Sequence, residues 1–287
     1  MTSMDTPISE TKQTFAHVEK EGQMTQWKHK TDLGWMMARQ ECLTATDIKD
    51  LLPVTKTGRK RIVTEDAYIG VFARKLCVLT EDDCMSYGLA ARGHILEPYA
   101  VDLYNTLALG EEDKLHHWDD ATIVRTPFVK YSLGFSPDAL DIPQPPNVGY
   151  LFSTDNVKHI GEVKSYSSSK HLVCANTPKE DLEERWQVAT AMAVCPSIEQ
   201  ADLLFFNPSM PKDMLYIVEY SRSDLVGEID TVLEVEDNWL TFLDNYTALP
   251  TASTRVIGGL LEQDIIAKIM KDEELNPEGE RSVIVDG

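Results

Sequence analysis

The chain has 287 residues, of which 43% are hydrophobic, and its 27 Lys and Arg against 47 Asp and Glu give a formal net charge of −20. No apolar run approaches the roughly 18 residues of a membrane span, and the polar start MTSMDTPISETKQ lacks the features of a signal peptide, so we expect a cytoplasmic protein with no membrane partner. Five scattered cysteines without a CxxC pair argue against disulfides and zinc or iron–sulfur sites, and the net acidity argues against an overall nucleic-acid-binding surface.

The N-terminal part predicts a flexible polar segment over residues 1–25, followed by two short helices within residues 25–54. The second of these helices begins at the cap signal Thr44–Thr46 and ends at Pro53. The basic run KTGRKR (56–61) then presents four cations in an otherwise acidic molecule. This run is either a local anion-binding element or a solvated loop.

A longer helix is predicted over residues 85–107. Its apolar stripe has the spacing of a helix face that packs on a core, and consists of Leu89, Gly93, Leu96, Ala100, Leu103 and Leu107. Pro98 lies inside this pattern and has no N–H to donate to the carbonyl of His94. We therefore expect a kink or a restart near Glu97.

The rest of the sequence predicts both strands and helices. Residues 121–143 predict strands and turns, and residues 157–166 another strand. A helix is expected to start at Thr177, with Pro178 at its first position and Glu180 completing a capping box. This helix should end before Pro196, and its apolar face consists of Leu182, Trp186, Ala189 and Ala193. A hairpin over 201–220 and a helix over 224–246 complete the pattern, which predicts one α/β domain (26–250) with a central mixed sheet flanked by helices, and an acidic C-terminal extension (251–287).

Charged residues interrupt the predicted strand in HIGEVKSY. Glu162 and Lys164 are two residues apart, so their side chains lie on the same face, and Asp138 lies upstream in GFSPDAL. The two carboxylates are suited to Mg²⁺, Lys164 to orienting a water or stabilising a transition state, and the carbonyl of Val163, whose side chain points to the core, to a further ligand. The alternative is a surface salt bridge on an edge strand.

The pattern D…E-x-K resembles the PD-(D/E)xK nuclease superfamily, and SPDAL with GEVKS resembles more narrowly the lambda-type phage exonucleases, or YqaJ-like viral recombinases. Three further segments occur in the family's order: WMMARQECLTAT (35–46), YGLAARGHILEPYAVDLYN (87–105) and RWQVATAMAVC (185–195). The resemblance covers roughly residues 30–220 and implies a restriction-endonuclease-like core.

The resemblance implies roles for individual residues. Asp138, Glu162 and the Val163 carbonyl would be metal ligands, with Glu97 nearby, and Lys164 would be the catalytic lysine. Gln187 would line the site. The alternatives for Glu97 and Gln187 are an exposed helix glutamate and a surface glutamine.

The resemblance also implies a pocket for a 5′-terminal phosphate formed by Arg39, Thr46 and Ser136. A guanidinium, a hydroxyl and a helix N-terminus near Thr46 are chemically suited to a phosphate. Alternatively, Thr44 or Thr46 only caps a helix and Arg39 pairs with an acid. Ala139 stands where the family usually has Gly, so the turn after Asp138 is expected to differ slightly.

The implied activity is an exodeoxyribonuclease that uses Mg²⁺, replaceable by Mn²⁺, with two ions per site. It would digest one strand of linear duplex DNA from its end, 5′ to 3′, and release mononucleotides. The resemblance further implies a ring-shaped homotrimer and a single-strand annealing protein as a partner in phage-type recombination in the host cytoplasm. The alternatives are an endonuclease with the same metal centre and a non-catalytic DNA-end-binding module.

Overall fold

The computed structural model describes residues 25–28, 39–55, 59–76, 87–110, 113–118, 122–125, 131–144, 155–210 and 212–247. The predicted N-terminal segment up to residue 24, the motif residue Trp35 and the predicted extension 251–287 lie outside these ranges. The same is true of residues 56–58 in the basic run.

A five-stranded mixed sheet forms the centre of the fold. Its strands are, in their order across the sheet, β2 (His116–His117), β5 (Ala139–Leu140), β6 (His159–Lys164), β7 (Gln200–Phe206) and β8 (Leu215–Ser221). In this sheet only β6 and β7 pair in parallel. A second, antiparallel sheet has the order β1–β3–β4, formed by β1 (Thr25–Lys28), β3 (Thr122–Arg125) and β4 (Gly134–Phe135).

Helices pack around the central sheet. Their bounds are α1 (Ala45–Leu51), α2 (Glu65–Leu76), α3 (Tyr87–Leu107), α4 (Ser168–Ala175), α5 (Arg185–Val194) and α6 (Val226–Thr247), with 3₁₀ turns at Lys179–Asp181 and Arg222–Leu225. This confirms the predicted α/β class with a central mixed sheet flanked by helices. Among the described residues, no helix is both long enough and apolar enough to cross a membrane.

The two faces of β6 belong to different cores because successive strand side chains point in opposite directions. Val163 faces α3 and packs in a cluster with Val101 and Leu204. Ile160 belongs to the larger core formed with α5 and α6, in which Trp186 and Trp239 are buried. Glu162 and Lys164 share the parity of Ile160, so the fold directs both charged side chains toward the α5 side of the sheet.

Several predicted elements are confirmed. Helix α1 begins after Thr44 and ends at Leu51, just before Pro53. Helix α3 spans Tyr87–Leu107 and continues through Pro98 without a restart. The predicted hairpin is β7–β8, and the last predicted helix is α6 preceded by a 3₁₀ turn.

Other predictions are wrong. Thr25–Lys28 forms a strand instead of a helix, because it pairs with β3. The helix predicted from Thr177 starts only at Arg185, since the Thr177 hydroxyl instead bonds back to the Val173 carbonyl of α4, 2.7 Å away. Leu107 is 69% exposed rather than in the core.

Two helices were missed, α2 and α4. For α2 the sequence carries a usable signal, since Thr64 precedes two acidic residues and two basic residues occupy the last turn. Part of the basic run also has a structural role. The Arg61 guanidinium donates to the carbonyls of Lys49, Asp50 and Leu52 at the C-terminal end of α1, with the bond to Leu52 2.5 Å long.

Candidate active site

The pairing of β5 with β6 brings Asp138 to Glu162. Ala139 lies opposite Gly161 in this antiparallel ladder, so Asp138, one residue earlier, is next to the following residues of β6. Its Oδ2 accepts a 2.7 Å hydrogen bond from the Val163 N–H. Segments 24 residues apart in the chain are thereby joined at the centre of the sheet.

Glu162 and Lys164 form a direct ion pair on this strand. The Lys164 Nζ lies 2.5 Å from Glu162 Oε1, and the same oxygen accepts a 2.7 Å hydrogen bond from Gln187 Nε2 on α5. The Lys164 side chain is only 17% exposed and the Glu162 side chain 13%, and β6 is paired on both sides. An edge-strand surface salt bridge is therefore excluded for this pair.

Glu97 lies on α3 and is 7% exposed, so it is not an exposed helix glutamate. Its two oxygens face imidazoles, with His94 Nδ1 3.3 Å from Oε1 and His117 Nε2 3.9 Å from Oε2. Burial opposes ionisation of Glu97, but these two histidines outweigh it and lower its pKa to about 2. Glu97 is therefore an anion at neutral pH.

The carboxylates repel one another. Burial, then the charges of Glu162 and Glu97, raise the pKa of Asp138 well above its usual range, against the smaller opposing effect of Lys164. Burial disfavours the charged form of Lys164, but Glu162 and Asp138 outweigh it and raise the Lys164 pKa. The cluster thus places the three carboxyl groups of Asp138, Glu162 and Glu97 beside one ammonium group.

The donor chemistry of this cluster fits a hard divalent cation, since carboxylate oxygens and a backbone carbonyl are the ligands that Mg²⁺ prefers. Within the described ranges, however, no three His, Cys, Asp or Glu side chains are grouped as a metal ion would require. The reason is local, because the Glu162 oxygen faces Lys164 and Gln187 while Glu97 faces its histidines. Metal binding would need side-chain rotations that release these contacts.

The predicted phosphate-site residues come from two neighbouring segments. The Leu43 N–H donates to the Ser132 carbonyl at 2.8 Å and the Gly134 N–H donates to the Leu43 carbonyl at 3.1 Å, so the stretch containing Arg39 and Thr46 runs beside the one leading to Ser136. Arg39 and Ser136 are half-buried and Thr46 is exposed. The role of these three residues stays a prediction.

The cap of α1 involves Thr44 and not Thr46. The N–H and hydroxyl of Thr44 donate to Asp47 Oδ2 at 2.9 and 2.7 Å. Asp47 is itself buried against Lys75, whose Nζ lies 2.5 Å from the same oxygen. The alternative that Thr44 caps this helix is therefore correct, and it leaves the Thr46 side chain at the surface.

Sequence reasoning missed the two histidines beside Glu97. His94 precedes Glu97 by three residues, a spacing that places two side chains on the same helix face, so the pattern H-x-x-E was a usable signal. His117 comes from β2, and only the tertiary fold brings it there. Sequence reasoning also missed Glu184. This residue is buried and accepts a 2.5 Å hydrogen bond from the Tyr166 hydroxyl, and its charge raises the Lys164 pKa further.

Fold and site together define an α/β protein with a central mixed sheet, whose central strand β6 carries an acid–lysine pair beside a second acid. This fold is shared with a solved structure. LHK-Exo in complex with dAMP is 20% identical with a TM-score of 0.50, over 84% of this chain and 98% of that chain. A second structure of LHK-Exo, an alkaline exonuclease from Laribacter hongkongensis, is 18% identical with a TM-score of 0.48 over the same shares. No family model and no curated protein matches the chain.

Proposed function

We propose that this protein is a Mg²⁺-dependent exodeoxyribonuclease of the lambda-type family, which digests one strand of linear duplex DNA from its end. The observation that carries the proposal is the meeting of Asp138, Glu162 and Lys164 at the centre of the sheet. The four sequence motifs and the shared fold with an exonuclease structure support it.

The reaction is hydrolysis of a phosphodiester. A water adds to phosphorus, one P–O bond breaks, and the leaving oxygen takes a proton. Lys164 holds its proton at neutral pH because its pKa is raised by neighbouring carboxylates, so its ammonium group is suited to neutralising charge that develops on the phosphoryl oxygens. Before a cation binds, Glu162 holds this ammonium group in place, and Gln187 holds Glu162.

Asp138, Glu162, the Val163 carbonyl and Glu97 would hold the divalent cation. When bound, such an ion polarises a phosphoryl oxygen and lowers the pKa of a bound water. The mutual repulsion that raises the Asp138 pKa supports this assignment, since a cation would balance the excess charge. The proposal includes Mn²⁺ as a substitute and two ions per site.

Three finer parts of the proposal rest on the sequence resemblance: 5′-to-3′ polarity with mononucleotide products, a ring-shaped homotrimer, and an annealing protein as partner in phage-type recombination. Analytical ultracentrifugation of the full chain tests the trimer directly. A basic inner wall of such a ring would reconcile DNA binding with the net charge of −20.

The activity is tested by offering linear and covalently closed duplexes of one sequence, with Mg²⁺ or with EDTA, and by following separately labelled 5′ and 3′ ends. We expect digestion of the linear duplex alone, only with Mg²⁺, with early release of the 5′ label. Lys164→Ala should lower the rate by at least about 10²-fold, the magnitude typical of lost electrostatic stabilisation.

Lys158→Ala is the matched control. Lys158 lies just before β6 at the other end of the strand, is half-exposed and pairs with Glu199 at 3.2 Å, so its loss should leave the rate unchanged. Equal cleavage of closed circles would favour the endonuclease alternative. End binding without digestion, unaffected by Lys164→Ala, would favour the non-catalytic module.

A further inference from the structure

Two lysines outside the acid cluster stand beside it. Lys49 lies in the last turn of α1, with its Nζ 3.8 Å from Glu183 Oε1. Lys170 lies on α4, with its Nζ 3.5 Å from Glu184 Oε1. Lysines of two separate helices, α1 and α4, thus contact adjacent acids, Glu183 and Glu184, in the turn that precedes α5.

This turn is directly connected to the acid cluster. The Gln187 N–H donates to the Glu184 carbonyl at 2.9 Å, and the Gln187 side chain holds Glu162. Glu184 also acts electrostatically on Lys164. The acid partners of the two lysines, Glu183 and Glu184, are therefore within about one helical turn of Gln187, which contacts Glu162.

The acid partners of Lys49 and Lys170 are adjacent residues, which places the two ammonium groups in one region. Burial lowers the pKa of Lys49; Glu183 opposes this, and the charges of Lys164 and Lys170 lower it further. Three ammonium groups from α1, β6 and α4 thus share one region of a chain with 20 more acids than Lys and Arg. Where a phosphate displaces their acid partners, such ammonium groups attract a polyanion even though the whole molecule is acidic.

Lys170 is positioned by a second contact. Its Nζ lies 3.5 Å from the centre of the Tyr166 ring, and the Tyr166 hydroxyl is fixed by its bond to Glu184. The side chain of Lys170 is 51% exposed and that of Lys49 is 27% exposed. Both ammonium groups can therefore exchange an acid partner for a ligand from solvent.

We propose that Lys49 and Lys170 bind backbone phosphates of the DNA strand that enters the acid cluster, and that Glu183 and Glu184 hold these lysines when DNA is absent. This inference rests on the proposed function, because it assumes DNA as the ligand. It adds two positioning contacts, and it assigns to Glu183 the role of a competitor that weakens DNA binding.

The test is binding of the full-length protein to a fluorescein-labelled duplex of 20 base pairs, measured by anisotropy over a series of salt concentrations with Ca²⁺ in place of Mg²⁺. Lys49→Gln and Lys170→Gln should each weaken binding and lower the slope of log Kd against log salt by about 0.9, the value for one lost duplex phosphate contact. Glu183→Gln should tighten binding by about two- to fivefold, since removal of a competing or like charge has an effect of this order.

Lys158→Gln is the matched control. Lys158 is 54% exposed and pairs with Glu199 at 3.2 Å, so its exposure and its ion pair are close to those of Lys170. It precedes β6 at the end of the strand opposite Lys164, so this variant should keep the wild-type slope.

An unchanged slope in Lys49→Gln and Lys170→Gln, or weaker binding in Glu183→Gln, would overturn the inference, as would wild-type protein that binds no DNA. Digestion of linear DNA by the wild-type protein in Mg²⁺ is scored separately. Digestion with unchanged slopes removes this inference alone, whereas salt-sensitive binding without digestion removes the proposed activity alone.

Discussion

Replacing Asp138 by Asn should make the metal-free protein more stable while abolishing activity. The Asn side chain keeps an oxygen that can accept the 2.7 Å hydrogen bond from the Val163 N–H. It removes the carboxylate whose pKa is raised by burial and by the charges of Glu162 and Glu97. The substitution therefore relieves charge repulsion without opening a cavity.

The size of this stabilisation depends on pH. A raised native-state pKa contributes stability that is complete below the unfolded-state value of 3.8 and is lost as pH rises through the native-state pKa. The gain from Asp138→Asn should thus be small near pH 4 and larger at pH 8. Each pKa unit by which the native-state value is raised corresponds to about 1.4 kcal/mol in the free energy of unfolding. For a domain of 150–250 residues this is about 3–6 °C in Tm.

Thermal unfolding in EDTA and in Mg²⁺ measures both consequences. Saturating Mg²⁺ should stabilise the wild-type protein, by about 2.7 kcal/mol at 100 times Kd, and should stabilise Asp138→Asn much less. Asp141→Asn is the control, because Asp141 Oδ2 also accepts backbone hydrogen bonds, from Lys158 at 2.9 Å and His159 at 3.1 Å. A Tm for Asp138→Asn in EDTA no higher than that of Asp141→Asn would refute the reasoning.

Three further predictions concern single residues. Because the Glu97 pKa is about 2, its contribution of roughly 3 kcal/mol is present above pH 4.5 and lost toward pH 2, so Glu97→Gln should flatten this part of an acid-unfolding curve. Gly161→Ala would place a Cβ 2.8 Å from Leu115 Cδ1 and should cost about 1–3 kcal/mol in urea unfolding, whereas Gly227→Ala, with nothing within 4 Å, should cost nothing. If Arg39 binds the terminal phosphate, Arg39→Ala should erase a preference for 5′-phosphorylated over 5′-hydroxyl ends in digestion rates; a preference that persists would remove Arg39 from this role.

The parts of the fold that the sequence predicted are those fixed by local chemistry. Helix α1 has a Thr cap and a proline at its end, and the β7–β8 hairpin has a strongly apolar first strand. The helix expected from Thr177 failed although its capping signals were present, because Thr177 belongs to the end of α4. Local signals do not show which of two adjacent helices a capping residue serves.

The candidate site was predictable where chemistry and spacing coincide, as for Glu162 and Lys164 on one strand face. The residues that surround this pair could not be predicted from the sequence. His117 reaches Glu97 only because β2 pairs with β5, and Lys49 reaches Glu183 only because α1 packs near the start of α5. Contacts between elements far apart in sequence depend on tertiary packing, which leaves no trace in local patterns.

The central position of β6 determines how the site can move. Its backbone is hydrogen-bonded to β5 on one side and to β7 along its whole length on the other, so its amide protons should exchange with solvent only when the whole protein unfolds. Glu162 and Lys164 are thus anchored on the slowest-exchanging part of the backbone, and any adjustment to an incoming ligand falls to side-chain rotation and to α1 and α4 at the periphery.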